Sequence, residues 1–162
     1  MNVETIKVGM ADLNVTKAPN VLTTLGLGSC IGITLYDRMN KIAGLVHIML
    51  PSSKDIKNNQ NAAKFADTGI DELIESMIRI GANKNNLVAK IAGGSQMFNF
   101  NSNNDILKIG ERNIMATKAK LSELNIKIIS EDTGGNFGRT IVLSSIDGSL
   151  NIRTIGHGEK TI

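Results

Sequence analysis

The sequence has 162 residues, of which 41% are hydrophobic and 20% are charged, and it contains a single cysteine. A chain of this length buries enough apolar surface to fold without disulfides, and one cysteine excludes an internal disulfide. The whole chain has only one cysteine and two histidines, which is too few Cys and His ligands for a four-coordinate structural zinc site, so such a site is not expected. The formal net charge of +3 and the 3% of aromatic residues, without a basic cluster, argue against nucleic-acid binding.

The organisation of the chain predicts a single domain over residues 1–162. No linker rich in Pro, Gly or Ser divides it, and no internal repeat is visible. The N-terminal residues lack the charged and apolar regions of a signal peptide, and no stretch approaches the ~20 apolar residues of a membrane span. We therefore expect a cytoplasmic protein that is not embedded in a membrane and whose cysteine stays reduced.

The first third of the chain is predicted to consist of β-strands. Apolar and β-branched residues predict strands over 6–10, 21–25, 31–36 and 43–50. The turn residues 37–41 predict that the last two strands form a hairpin.

Two helices alternate with further strands in the rest of the chain. An amphipathic helix is predicted over 61–80 and ends at Gly81, and a second one over 111–124 is followed by Asn125 in a left-handed conformation. Strands are predicted over 87–92, 127–130, 140–145 and 150–155, with the turn dipeptide Asp147-Gly148 between the last two. This order predicts an α+β or layered fold and not a doubly wound parallel sheet.

The segment 23–32, between two predicted strands, contains the only cysteine, Cys30, with three glycines around it. Such glycines permit a sharp turn and the close approach of another molecule. A dinucleotide-binding turn is not expected, because it would need a third glycine at Ile31 and a helix after it. A cysteine in this context is often no more than a small buried apolar residue, so its neighbours decide the interpretation.

His47 lies 17 residues after Cys30 in an apolar strand, where a polar side chain needs a partner. The predicted hairpin can place both residues on one face, where the imidazole can take the thiol proton and leave a thiolate–imidazolium pair, as in cysteine hydrolases. The hydroxyls of Thr23 and Thr24 are both candidates to orient the ring, and backbone N–H groups of 28–30 can stabilise an oxyanion. The alternative for His47 is a core histidine bonded to a backbone carbonyl.

Several motifs occur in one order along nearly the whole chain. They are TLGLGSC (24–30), GLVHIMLP (44–51), KFAD (64–67), AKIAGG (89–94), IGERN (109–113) and DTGGNFGR (132–139). On these motifs the sequence closely resembles the CheD family of bacterial chemotaxis proteins, the chemoreceptor glutamine deamidases.

The resemblance implies a catalytic site of Cys30, His47 and Thr24 that needs no cofactor. It also implies layered mixed β-sheets flanked by two main helices, similar to cysteine hydrolases of the cytotoxic necrotizing factor type. The implied reaction converts receptor glutamines to glutamates through a thioester, and the implied partners are chemoreceptor cytoplasmic helices and a CheC-type phosphatase. Methylesterase activity stays open, and the alternative function is a non-catalytic docking regulator of the phosphatase and the receptors.

A glutamine presented on a receptor helix requires an open groove. Gly28 and Ser29 in the turn are therefore predicted to contact the substrate, together with Phe98 and Phe137 from two glycine-containing loops. The alternative for the two aromatic residues is core packing. His157 lies in a polar tail over 156–160 and is predicted to be exposed.

Overall fold

The computed structural model describes residues 2–97 and 108–162 of the chain. In these ranges the first strands are β1 (Thr5–Lys7), β2 (Leu13–Lys17), β3 (Val21–Leu27), β4 (Ile31–Asp37) and β5 (Ile42–Ile48). They are followed by α1 (Ala66–Arg79), β6 (Leu87–Gly93), α2 (Ile109–Glu123), β7 (Lys127–Thr133), β8 (Arg139–Ser144), β9 (Leu150–Thr154) and β10 (Gly158–Thr161). Short 3₁₀ helices, Ala62–Lys64 and Lys84–Asn86, precede α1 and β6.

The strands form two mixed sheets of five strands each. Sheet I has the order β1-β3-β8-β9-β10, and sheet II has the order β2-β5-β4-β6-β7. Each sheet contains one parallel pair, β1 with β3 and β6 with β7, while the other neighbours are antiparallel. The prediction of an α+β fold with layered mixed sheets and two main helices is confirmed.

Sheet II lies between the helices and sheet I. Because side chains alternate along a strand, Val46 and Ile48 of β5 pack in the core beneath the helices, while Ala43 and Leu45 pack in the core shared with sheet I. Both β4 and β5 are buried along their whole length. A polar side chain on the face of β5 that carries Ala43 and Leu45 is therefore enclosed between the two sheets.

Several local predictions are confirmed. The strands β4 and β5 pair as an antiparallel hairpin, as do β8 and β9. The turn glycine Gly148 has φ 76°, and Asn125 after α2 has φ 57°. Both values lie in the left-handed region that suits a turn glycine and a helix-terminal asparagine.

The predictions at the two ends of the chain are partly wrong. The strand predicted over 6–10 is the shorter β1, and the edge strand β2 was not predicted, because only its residue Thr16 is buried and its apolar pattern is weak. The tail predicted over 156–160 contains the start of β10, whose residues are all exposed and whose backbone pairs with β9. Hydrophobic patterning cannot reveal a strand that buries no side chain.

The first predicted helix begins later than expected. The segment predicted over 61–80 contains the 3₁₀ helix and then Phe65, whose backbone is extended with φ −117° and ψ 144°. Phe65 forms an isolated parallel bridge with Leu50, and the backbone N–H groups of Met49 and Leu50 donate to the Lys64 carbonyl. This pairing with the chain after β5 interrupts the helix.

Candidate active site

The β4–β5 hairpin determines where Cys30 and His47 lie. The strands pair Gly32 with His47 and Ile31 with Ile48, so Cys30 is two residues from the partner of His47. Residues two apart share a face, and Cys30 packs in the core between the sheets. The thiol and the imidazole therefore occupy diagonal positions of the hairpin between sheets I and II, and no hydrogen bond joins the thiol to His47 Nε2.

Thr24 of β3 in sheet I contacts His47 across this interface. The Thr24 Oγ1 atom lies 2.7 Å from His47 Nδ1 and donates a hydrogen bond of 2.7 Å to the Val8 carbonyl. A hydroxyl has one hydrogen and a carbonyl can only accept, so the hydroxyl hydrogen points to Val8 and Nδ1 must be the donor to Thr24. This assigns the Nδ1–H tautomer and leaves Nε2 with a free lone pair.

The neighbouring threonine has a different role. The hydroxyl of Thr23 donates to the Ile141 carbonyl at 2.8 Å, which is a hydrogen bond within sheet I. Spacing alone left both threonines as candidates to orient the ring, the family resemblance implied Thr24, and the geometry favours Thr24.

The site is buried, which changes the proton affinity of both groups. Cys30 is 8% exposed and His47 is 1% exposed. Burial lowers the pKa of His47, and it raises the pKa of Cys30, although the cysteine's own backbone N–H partly opposes that rise. Both directions favour a neutral thiol and a neutral imidazole, whereas the sequence predicts a thiolate–imidazolium pair.

His47 Nε2 has no hydrogen-bond partner among the described residues, although the atom is buried. A buried ring nitrogen is normally satisfied. The alternative of a core histidine bonded to a carbonyl therefore accounts for neither nitrogen, since Nδ1 binds a hydroxyl and Nε2 is unpaired. The unpaired lone pair makes Nε2 a candidate base.

The glycine-rich turn is supported by the end of β6. The backbone N–H groups of Gly94 and Ser95 donate to the carbonyls of Cys30 and Gly28, at 2.9 Å each. Gly28 N–H donates to Gly26 within the turn, whereas the N–H groups of Ser29 and Cys30 reach no acceptor of another residue in the described ranges. These two N–H groups are therefore candidate donors to an oxyanion.

An open cavity of about 270 Å³ lies beside Thr24 and is lined by Lys7, Val8, Gly9, Met10, Thr23, Thr24 and Leu25. Two of its apolar side chains are exposed, Met10 by 58% and Leu25 by 60%. Met97, 47% exposed, lies against Gly28 of the turn. The neighbourhood of the site therefore presents exposed apolar side chains, which are typical of a surface that contacts another protein.

The two predicted aromatic contacts have different outcomes. Phe98 lies outside the described residues. The ring of Phe137 packs 4.5 Å from the ring of His157 and 4.6 Å from the guanidinium carbon of Arg139. His157 is exposed, as predicted, and substrate contact by Phe137 stays a prediction.

Sequence reasoning missed two residues that support the site. Val8 contributes only its carbonyl, for which a sequence contains no signal. Asn113 on α2 donates to the carbonyls of Ser29 and Met49; its place in the IGERN motif was visible, but its partners were not.

Within the described ranges, no three His, Cys, Asp or Glu side chains are grouped so that they could hold a metal ion. No helix in the same part of the chain is long and apolar enough to cross a membrane.

Together these features define an α+β protein with a buried cysteine and histidine beside an orienting threonine, the type of site that cysteine-dependent hydrolases use. The profile of one family, described as CheD chemotactic sensory transduction, matches residues 49–154. The chain belongs to the CheD family.

Curated relatives extend this similarity over the whole chain, including the segment that precedes position 49. A protein of Caldanaerobacter subterraneus, named "probable chemoreceptor glutamine deamidase CheD", is 59% identical over 100% of both chains. One of the same name from Lachnoclostridium phytofermentans is 58% identical over 98% of this chain and 99% of its own. The "chemoreceptor glutamine deamidase CheD" of Halalkalibacterium halodurans is 52% identical over 98% of this chain and 99% of its own.

Proposed function

We propose that this protein is a chemoreceptor glutamine deamidase that uses Cys30 as nucleophile and His47 as general base and acid. The observation that carries the proposal is the Val8–Thr24–His47 chain of hydrogen bonds, which leaves Nε2 as an unpaired base on the face that holds Cys30. The names of the relatives support the substrate, a glutamine side chain of a chemoreceptor.

In the first half of the reaction, His47 Nε2 takes the thiol proton as the Cys30 sulfur attacks the glutamine carboxamide carbon. The oxyanion that forms accepts hydrogen bonds from the N–H groups of Ser29 and Cys30. The imidazolium then gives the proton to the amide nitrogen, and the carbon–nitrogen bond breaks. Ammonia departs, and the glutamine acyl group remains bonded to the Cys30 sulfur as a thioester.

In the second half, Nε2 removes a proton from water as the water oxygen attacks the thioester carbon. The carbon–sulfur bond breaks and the proton returns to the sulfur, so the product is a glutamate and the enzyme is unchanged. Thr24 keeps Nδ1 protonated throughout and acts as a positioning residue.

The neutral state of the free site fits this sequence of steps. Because burial raises the pKa of Cys30 and lowers that of His47, the thiol keeps its proton until the substrate arrives. The transfer then occurs as the carbon–sulfur bond forms, when the developing positive charge on the sulfur lowers its proton affinity. General base catalysis therefore replaces a preformed ion pair.

The exposed side chains of Met10, Leu25 and Met97 near the turn suit a protein partner. We assign this surface to the receptor helices that carry the target glutamine. A CheC-type phosphatase, implied by the family resemblance, would compete with the receptor for the same surface. A purely docking role does not account for the Thr24–His47 hydrogen bond.

The direct test is to incubate the full chain with a receptor cytoplasmic fragment in ¹⁸O-water and to analyse receptor peptides by mass spectrometry. We expect glutamate with one ¹⁸O atom at particular glutamines. Cys30→Ala should abolish the conversion, and His47→Gln should slow it by about 10²–10⁴-fold.

The control for replacing a histidine is His157→Gln, at an exposed position; it should keep the rate at saturating substrate, because its ring packs on Phe137 and not on the reacting groups. Conversion that persists in Cys30→Ala would exclude the mechanism. A wild-type chain that binds the receptor fragment and converts nothing would favour the docking regulator.

A further inference from the structure

Asn113 on α2 is a buried polar residue that the mechanism above does not use. Its side chain is 0% exposed, and its amide nitrogen donates to the Ser29 carbonyl at 2.9 Å and to the Met49 carbonyl at 3.0 Å. Both partners can only accept, so only the NH₂ group can serve both. Its Oδ1 atom has no partner among the described residues, which is unfavourable in a buried site and requires a reason.

The two carbonyls lie where the β4–β5 ladder ends. The last paired residues are Ile31 and Ile48, and beyond them the chain continues to Cys30 and Ser29 on one side and to Met49 on the other. Asn113 joins these two segments by its amide in place of a ladder hydrogen bond. One side chain therefore bridges the segment that carries Cys30 and the segment that follows His47.

The same contact sets the direction of one candidate oxyanion donor. A peptide unit is planar and trans, so its C=O and N–H point in opposite directions. When Asn113 holds the Ser29 carbonyl, it also fixes the Cys30 N–H, which reaches no acceptor of another residue in the described part of the chain.

Close packing at two glycines lets α2 lie next to these carbonyls. A Cβ atom at Gly110 of α2 would collide with the Ser95 carbonyl, and one at Gly94 would collide with the Ile114 side chain. The absence of side chains at both positions lets the first turns of α2 lie directly on the chain after β6. Asn113, one turn along the helix, is thereby held against the active-site turn.

We propose that Asn113 is a positioning residue of the deamidation reaction: it holds the Ser29 carbonyl so that the Cys30 N–H faces the developing oxyanion, and it ties the Cys30 segment to the end of β5. This inference rests on the proposed function. It adds a residue on a different element, 83 positions from Cys30 and 66 from His47 in the sequence.

The test compares Asn113→Asp and Asn113→Ala with Thr117→Val. The Asp variant has the same shape but places carboxylate oxygens against two carbonyl oxygens. Thr117 lies one turn further along α2, is also 0% exposed and has an unpaired Oγ1 atom among the described residues, so its replacement is a matched control. We expect kcat for receptor glutamine to fall about 10–100-fold in the Asn113 variants, with KM unchanged, while Thr117→Val keeps both constants.

The measurements are made on samples that circular dichroism shows to be folded. A wild-type kcat in a folded Asn113 variant overturns the inference, and so does an equal loss in Thr117→Val, which would indicate general disturbance of α2. If Asn113→Asp and Asn113→Ala do not fold, Asn113→Ser, a smaller side chain with one O–H donor, takes their place under the same criteria.

A readout without receptor separates this inference from the proposed function. If the wild-type chain converts no receptor glutamine, the proposed function fails, and the inference is judged on the Cys30 amide resonance and on alkylation of Cys30 by iodoacetamide. A shifted resonance and a changed alkylation rate in the Asn113 variants, but not in Thr117→Val, would support positioning of the turn. Unchanged values would overturn it.

Discussion

At the residue scale, the two nitrogens of His47 have different environments. Nδ1 faces a hydroxyl whose own hydrogen is committed to the Val8 carbonyl, while Nε2 has no partner within the described ranges. A single hydrogen on Thr24 thus decides which ring nitrogen carries the proton. In the proposed mechanism the threonine has the orienting role that an aspartate has in serine proteases, but it adds no negative charge that would raise the pKa of the buried imidazole.

We predict that Thr24→Val lowers kcat about 10–100-fold. Valine has the shape of threonine but cannot accept the Nδ1–H, so the ring loses both its tautomer preference and its orientation. The measurement is the rate of receptor deamidation under saturating substrate.

Thr23→Val is the control for this prediction, because it removes an equally buried hydroxyl one residue away that bonds to Ile141 instead of His47. Thr23→Val should lose about 1 kcal/mol of unfolding free energy, and Thr24→Val, which removes two hydrogen bonds, should lose more, but only Thr24→Val should lose activity. Equal activity in the two variants would show that the hydroxyl does not position His47.

At the element scale, the active-site turn depends on the end of β6. Gly93 has φ 112°, and a Cβ atom there would collide with the Cys30 carbonyl oxygen. The following residues donate two backbone hydrogen bonds to the turn. The Arg139 guanidinium, 2% exposed and 3.0 Å from Asp132, also donates to Ser95 Oγ at 2.9 Å and so attaches β8 to the same loop.

We predict that Gly93→Ala lowers the unfolding free energy by about 2–5 kcal/mol, the sum of backbone strain and overpacking. Chemical denaturation measures this change. The folded fraction should also lose activity, because the Cys30 backbone must move to admit the methyl group.

Gly134→Ala separates strain from collision. Gly134 also has a positive φ, 81°, but a Cβ atom there would meet nothing within 4 Å. Its cost should be about 1 kcal/mol, from strain alone, with activity kept. If the two variants were equally stable, the close approach of Gly93 to Cys30 would not be a structural requirement.

At the scale of the whole molecule, the packing of the two sheets places the reacting groups away from water. Cys30 and His47 lie on the face of sheet II that meets sheet I, and burial shifts the pKa of each toward its neutral form. Sheet packing therefore influences the pH range in which the site can work. In the proposed mechanism, the base is lost below the pKa of His47, and the proton for the departing ammonia is lost above the pKa of Cys30.

We predict that the acid limb of kcat/KM lies below about 6.5, the ordinary pKa of histidine. The unfolding free energy should also decrease as the pH falls from about 6.5 through the folded pKa of His47, because the unfolded chain binds that proton more readily. The pH profile of kcat/KM measures the acid limb, and denaturation at several pH values measures the change in unfolding free energy. NMR titration of the His157→Gln variant, in which His47 is the one remaining histidine, measures the folded pKa of His47.

His47→Gln is the control for the stability measurement and should remove the decrease in that pH range, leaving only the loss due to carboxyl protonation near pH ~4. An acid limb above about 6.5 would mean that a negative charge near His47 outweighs its burial.

The sequence predicted most elements that bury a regular face. Both helices and the two hairpins follow from apolar spacing and turn residues, whereas β2 and β10 escaped because they bury almost no side chains. The extent of the domain and the likeness to cytotoxic necrotizing factor-type hydrolases stay predictions. The spacing of Cys30 and His47 also predicted that they share one face, because the pairing of two strands in a hairpin is set by the short turn between them.

What the sequence by itself determined was the family, the fold class and the pair of residues that a single hairpin brings together. The family resemblance implied Thr24, but only the tertiary structure showed the relations between distant segments: the contact of Thr24 with His47 Nδ1, the Val8 carbonyl that sets the tautomer, and Asn113 beneath the turn. The physical reason is that periodicity and turn chemistry act over a few residues. The packing of sheet I and α2 on sheet II joins atoms that no local pattern relates, and burial between those layers shifts the pKa of the two reacting groups.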